Sequence, residues 1–79
     1  MAFFDNLSIF KKREILTSSQ FSLSMELSSM LLRNNVDPSN FDENSFDLAD
    51  YPNMQGDGIR ISQICDSLKL IQMKLQELS

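Results

Sequence analysis

Histidine and tryptophan are missing from the 79 residues, cysteine occurs once (Cys65), and there are only two glycines, two prolines and one tyrosine. Each shortage excludes something. One cysteine cannot form an intramolecular disulfide, and without histidine a single chain cannot assemble the usual structural zinc sets. Cys65 has no histidine to activate it, so a Cys–His nucleophile is excluded. No apolar run approaches the roughly 18 residues that a membrane-spanning helix needs. The interrupted apolar N-terminus, followed by no small-residue cleavage site, does not read as a secretory signal. The expected location is cytoplasmic, with a reduced thiol. Basic residues are in the minority, seven against eleven acidic for a net charge of -4. That argues against nucleic acid as a partner, because phosphate binding needs a basic footprint.

The few glycines and the many acids do not form a familiar ligand loop. Gly56-Asp57-Gly58 lacks the lysine of a phosphate loop and the third glycine of a dinucleotide site. The acids between Asp37 and Asp50 miss the calcium-loop spacing, with Phe41 or Phe46 standing where an oxygen ligand is required. No metal, cofactor or small-molecule substrate is expected, and no catalytic residue is assigned.

Charge and punctuation divide the chain in three. Residues 1–36 hold four basic and three acidic side chains, residues 37–58 six acidic and no basic ones, and residues 59–79 three basic and two acidic ones. Both glycines and both prolines fall in the middle third. The pattern predicts a single small all-α domain of two or three helices, a helical hairpin or small bundle, with an acidic connector at 37–58.

The last third carries the clearest pattern. Ile61, Ile64, Leu68, Ile71, Leu75 and Leu78 are spaced 3, 4, 3, 4, 3, an uninterrupted heptad seam. A helix over 59–79 with Asp57 as its cap is predicted, and the seam residues are the expected interaction surface. The flanking positions Cys65, Ser67, Gln72 and Lys74 carry no complementary charges to choose a partner. Leu70 and Met73 add a second apolar patch off the seam. Two and a half heptads do not make a stable lone helix. The seam must be filled by residues 19–35, by a second copy, or by another protein, and the apolar surplus predicts a dimer or higher oligomer, or a subunit of a hetero-complex.

The first third is less regular. Wound as a helix over 2–16, Phe3, Phe4, Leu7, Phe10 and Ile15 share a broad face, with Ile9 and Leu16 opposite. Asp5 or Ser8 is the expected N-cap. Packing of the phenylalanines into the core is the favoured reading. The alternative is membrane contact by Phe3, Phe4, Leu7 and Phe10 backed by Lys11, Lys12 and Arg13. Thr17-Ser18-Ser19-Gln20 reads as a break. Phe21, Leu23, Met25 and Leu27 alternate with polar residues as a strand would, but the absence of valine, isoleucine and threonine from 19 to 35 favours helix. As a helix, residues 19–35 put Phe21, Met25 and Leu32 on one side and Leu23, Leu27, Met30 and Leu31 on another. Such a helix is expected to be sandwiched between neighbours. Asn34-Asn35 is a stop, and Asp37-Pro38 can cap and open a short turn.

In the connector, Phe41, Phe46, Leu48 and Tyr51 interleave with Asp42, Glu43, Asp47 and Asp50. Such interleaving suits a segment that folds onto a partner's groove. The favoured alternative is a loop whose aromatics tuck under the core while its acids stay in water.

Ser62-Gln63-Ile64-Cys65-Asp66 resembles the Ser-Gln-x-Leu-Asp signature of the small sporulation-phosphorelay aspartyl-phosphate phosphatases, helical hairpins that carry it on their second helix. The likeness covers five residues, with Cys65 in place of the family leucine, and the connector here is longer. The resemblance implies a regulator or phosphatase of a response regulator, with Gln63 and Asp66 approaching the phosphorylated site. The residues themselves favour a non-enzymatic protein–protein interaction module, an adaptor, regulator, chaperone or assembly subunit. A peripheral membrane protein is the alternative.

Overall fold

Two long helices packed against each other, with no strand among the described residues, make up the computed structural model, which describes residues 3–54 and 56–79. The predicted residue Ala2, and Gln55 within the expected turn at 53–58, lie outside that range. The helices are α1 (Ile9–Arg33) and α2 (Gly56–Glu77). They run antiparallel: Arg13 near the start of α1 donates to the carbonyl of Leu78, while Arg33 at its end pairs with Asp57.

α1 begins at Ser8, whose Oγ accepts the Lys11 amide at 3.2 Å. Phe3–Asn6 form a short 3-10 turn outside it, so the expected continuous helix through residue 3 is not formed. The break expected at 17–20 is absent as well. Polar residues such as serine and glutamine are tolerated in a helix at small cost, and Leu16 on the near side of them is buried at 8% exposure. α1 ends where the two asparagines predict. Asn34 is the C-cap, and Asn35 adopts φ 63°. Its amide returns to Leu32 O, and that of Val36 to Leu31 O at 2.9 Å. This is the paired reversal that satisfies the last carbonyls of a helix.

The connector is built by its own acids. Asp37, Asp42 and Asp47 each accept a backbone amide two residues on, from Ser39, Asn44 and Ala49 at 2.9, 2.9 and 3.0 Å. Aspartate favours such local turns for this reason. Short 3-10 turns follow at Pro38–Asn40 and Leu48–Asp50. Phe41, Phe46 and Tyr51 form a row with ring centroids 5.5 Å apart at each step, and all three pack on the core.

α2 starts earlier than expected, at Gly56. Asp57 therefore lies inside the helix. It is not engaged as the predicted cap, because Arg33 and Asn34 take its carboxylate. Gly58 is buried against the connector, and a Cβ there would collide with Leu48 Cδ1. The core is Leu27, Met30, Leu31, Met54, Ile61, Ile64, Cys65 and Leu68. Each fully buried aliphatic side chain contributes about 1.5–3 kcal/mol.

Candidate interaction surface

The heptad residues sit inside the hairpin. Ile61 and Ile64 are completely buried, Leu68 and Ile71 are buried, and Leu75 and Leu78 are half-buried. α1 and the connector fill most of the seam from within the chain, so its first four residues offer little to another molecule in this fold. Cys65, beside the seam, is 2% exposed. Burial pushes its thiol above the ordinary range, with the Glu43 carboxylate adding to the effect. A neutral, enclosed thiol is a packing group, not a nucleophile.

Two bidentate ion pairs clip the helices together. Arg60 holds Glu26 through bonds of 2.7 and 2.8 Å, and Arg33 holds Asp57 through bonds of 3.0 and 2.7 Å. Asn34 adds a third bond to Asp57 at 3.0 Å while also donating to Met30 O. Both carboxyls are held below their usual range, chiefly by the hydrogen bonds from arginine. On the connector side, Gln72 donates to Glu43 at 3.0 Å.

The aromatic residues of the first third do not enter the core as the favoured reading has them. Phe3 is 72% and Phe10 75% exposed. Phe3 lies outside α1 and Phe10 lies on the side of α1 turned from α2, so neither reaches the core, while Leu16 is buried and lines one cavity with Ile71. Phe4 and Leu7 are half-buried. The adjacent cations are engaged: Lys11 with Glu14 at 3.1 Å, Lys12 over the Phe4 ring at 5.6 Å, and Arg13 with Leu78 O at 2.7 Å.

In the connector, Phe41, Phe46 and Tyr51 lie against the core, and Leu48 is the most open of the four residues expected to reach a partner. Gln63 and Asp66 are exposed on the second helix of the hairpin, and Lys69 approaches Asp66 at 3.6 Å.

An exposed apolar surface outside the predicted site residues lies on α1. Phe21, Met25 and Leu32 are 67%, 60% and 63% exposed, and with Ser24, Ser28 and Ser29 they line an open apolar groove on the side of α1 away from α2. Phe10 falls on the same side, three turns earlier. Their shared side was visible in the helical period; that no described residue covers it was not. Ile59, Leu70 and Met73 form a sparser exposed set on α2.

No family model, curated protein or solved structure matches the chain. Its fold is a two-helix hairpin, and no helix among the described residues is long and apolar enough to cross a membrane.

Proposed function

We propose that the chain is a non-enzymatic protein–protein interaction module working through helix packing on the outer face of α1. The observation that carries this reading is the two-sided apolarity of that helix. Leu16, Leu27, Met30 and Leu31 are covered by α2 and the connector, whereas Phe10, Phe21, Met25 and Leu32 have no cover among the described residues. A row of large apolar side chains rimmed by polar ones is the composition of a docking surface. The seam residues Ile61 to Ile71 then act as the scaffold that holds α1 straight. On this reading the module works in the cytoplasm, where Cys65 remains a thiol.

Cross-linking and affinity capture with wild type and with Phe21→Asp/Leu32→Asp tests the assignment. Loss of specific partners from the variant, with its helical spectrum intact, is the expected result. An identical set of captured proteins would remove the reading.

A second reading follows from the 72% and 75% exposure of Phe3 and Phe10 beside Lys11, Lys12 and Arg13. These residues suit an interfacial contact with anionic lipid, although the pairing of the three cations weakens the attraction. Liposome co-sedimentation of wild type against Phe3→Asp/Phe10→Asp separates the two readings. Equal binding by both chains, or binding by neither, would sink the lipid one.

A further inference from the structure

We propose that the occupant of the outer face of α1 is a second copy of this chain, packed antiparallel through Phe10, Phe21, Met25 and Leu32 about a two-fold axis near Phe21. The proposal rests on the reading of that face as an interaction surface and names its partner.

The exposed area of the strip suits a second copy. The four side chains are 75%, 67%, 60% and 63% exposed. A phenylalanine presents about 150–250 Å², and leucine and methionine less, so the strip offers roughly 400 Å² of apolar surface. Interfaces are a little over half apolar, so this share corresponds to roughly 700 Å² on each side, within the range of a stable dimer interface.

The strip is also spaced symmetrically. Phe21 lies midway in sequence between Phe10 and Leu32. An antiparallel two-fold therefore sets Phe21 across from Phe21 and Phe10 level with Leu32. Thr17, Ser24 and Ser28 are small residues between the large ones, and they provide the gaps that the facing side chains need. Glu14, the charged residue within the strip, comes level with the partner's Ser28, so no like charges oppose there.

Charge distinguishes the two orientations. Lys11, Lys12 and Arg13 sit at one end of α1, and the connector at the other end holds five acids and no base across residues 37–50, the Asp57 charge being matched by Arg33. The connector folds back along α1, with Pro38, Phe41 and Glu43 lining a cleft together with Gln20 and Ser24. Antiparallel packing sets the end of α1 that carries Lys11, Lys12 and Arg13, each already engaged within its own chain, level with the end of the partner's α1 from which the acidic connector starts. Parallel packing would set acid against acid and base against base, and like-charge juxtaposition is costly. This polarity favours a second copy, in one orientation, over an arbitrary helix.

Sedimentation velocity, with far-UV circular dichroism as the folding control, tests the proposal. Wild type is expected to sediment at twice the chain mass at high micromolar concentration. Phe21→Asp/Met25→Asp and the milder Phe21→Ser/Met25→Ser are both expected to be folded monomers. Orientation is read from nitroxides placed by Lys11→Cys on a Cys65→Ala background. Ten residues on either side of the axis puts the labels about 30 Å apart if antiparallel, and about 10 Å apart if parallel. A folded wild-type monomer, a dimer untouched by both variants, or the short label distance would overturn the proposal. A monomer that binds anionic vesicles through Phe21 and Met25 would also overturn it, in favour of lipid. If wild type is monomeric while captured partners still depend on Phe21 and Leu32, the second copy is wrong and the module reading stands.

Discussion

Arg60 grips Glu26 across the hairpin through two nearly parallel hydrogen bonds, from Nε to Oε2 at 2.7 Å and from Nη2 to Oε1 at 2.8 Å. Arg33 repeats the arrangement on Asp57 two turns further toward the connector. Forked pairs of this kind fix geometry as well as adding attraction. They set which residue of α1 lies level with which residue of α2, and so which face of α1 is turned outward.

These pairs make the fold sensitive to acid. The Glu26 and Asp57 carboxyls are depressed, first by the arginine hydrogen bonds and, for Asp57, next by Asn34. The folded chain therefore binds fewer protons than the unfolded chain in the ordinary carboxylate range, about pH 4. Their stabilising contribution is present above that range and is lost as pH falls through the depressed values. Melting temperature followed by circular dichroism from neutral to acid pH should drop below about pH 4–5. Glu26→Gln/Asp57→Asn should flatten the drop. A double variant with the wild-type acid profile would contradict the role given to these pairs. Arg60, raised by the same contact, stays charged throughout.

Ile64 is completely buried where the helices meet, whereas Leu78 is half-buried at the open end of the hairpin. Ile64→Ala should cost about 2–5 kcal/mol, a large share of the stability of a chain this small. Leu78→Ala should cost under about 1 kcal/mol. Urea unfolding of the two variants side by side checks the ranking, and equal losses would place the seam's weight wrongly.

Gly58 and Gly56 look alike in sequence and differ in the fold. A side chain at Gly58 would strike Leu48 Cδ1 and press on Met54 Cβ at 3.4 Å, whereas a Cβ at Gly56 meets nothing within 4 Å. Gly58→Val should therefore destabilise by about 1–3 kcal/mol by pushing the connector off α2. Gly56→Ala should stabilise by up to about 1 kcal/mol through helix propensity. Thermal melts of both variants give the comparison, and a stabilised Gly58→Val would show that Leu48 does not hold the connector.

Much of this architecture was legible because it is local. The heptad from Ile61 to Leu78 specified a helix with a buried seam, Asn34-Asn35 specified its partner's end, and Asp37-Pro38 specified a capped turn. The tucked aromatics Phe41, Phe46 and Tyr51 follow from the need of a short chain to finish its core. The alternation Phe21-Leu23-Met25-Leu27, strand-like in sequence, has a simple helical cause. Residues two apart on a helix lie about 200° apart, so an alternating run marks two opposite apolar faces.

What stayed hidden was non-local. Thr17 to Gln20 read as a break because their own preferences are weak, and only packing of Leu16 on one side and Leu27 on the other carries the helix through them. Asp57 has the chemistry of a cap, but Arg33, 24 residues earlier, claims it. The face of α1 left bare, with Phe21, Met25 and Leu32, could not be identified until the number of helices was known. A third helix would have covered it.

The central claim is that the heptad seam closes within one chain and leaves the outer face of α1 for a partner. The thermal melt of Phe21→Asp/Met25→Asp over a wide dilution series tests it most directly. A chain whose seam is filled internally will melt at the same temperature at every concentration. A melting temperature that falls steadily on dilution would show that another molecule fills the seam, and would contradict the account.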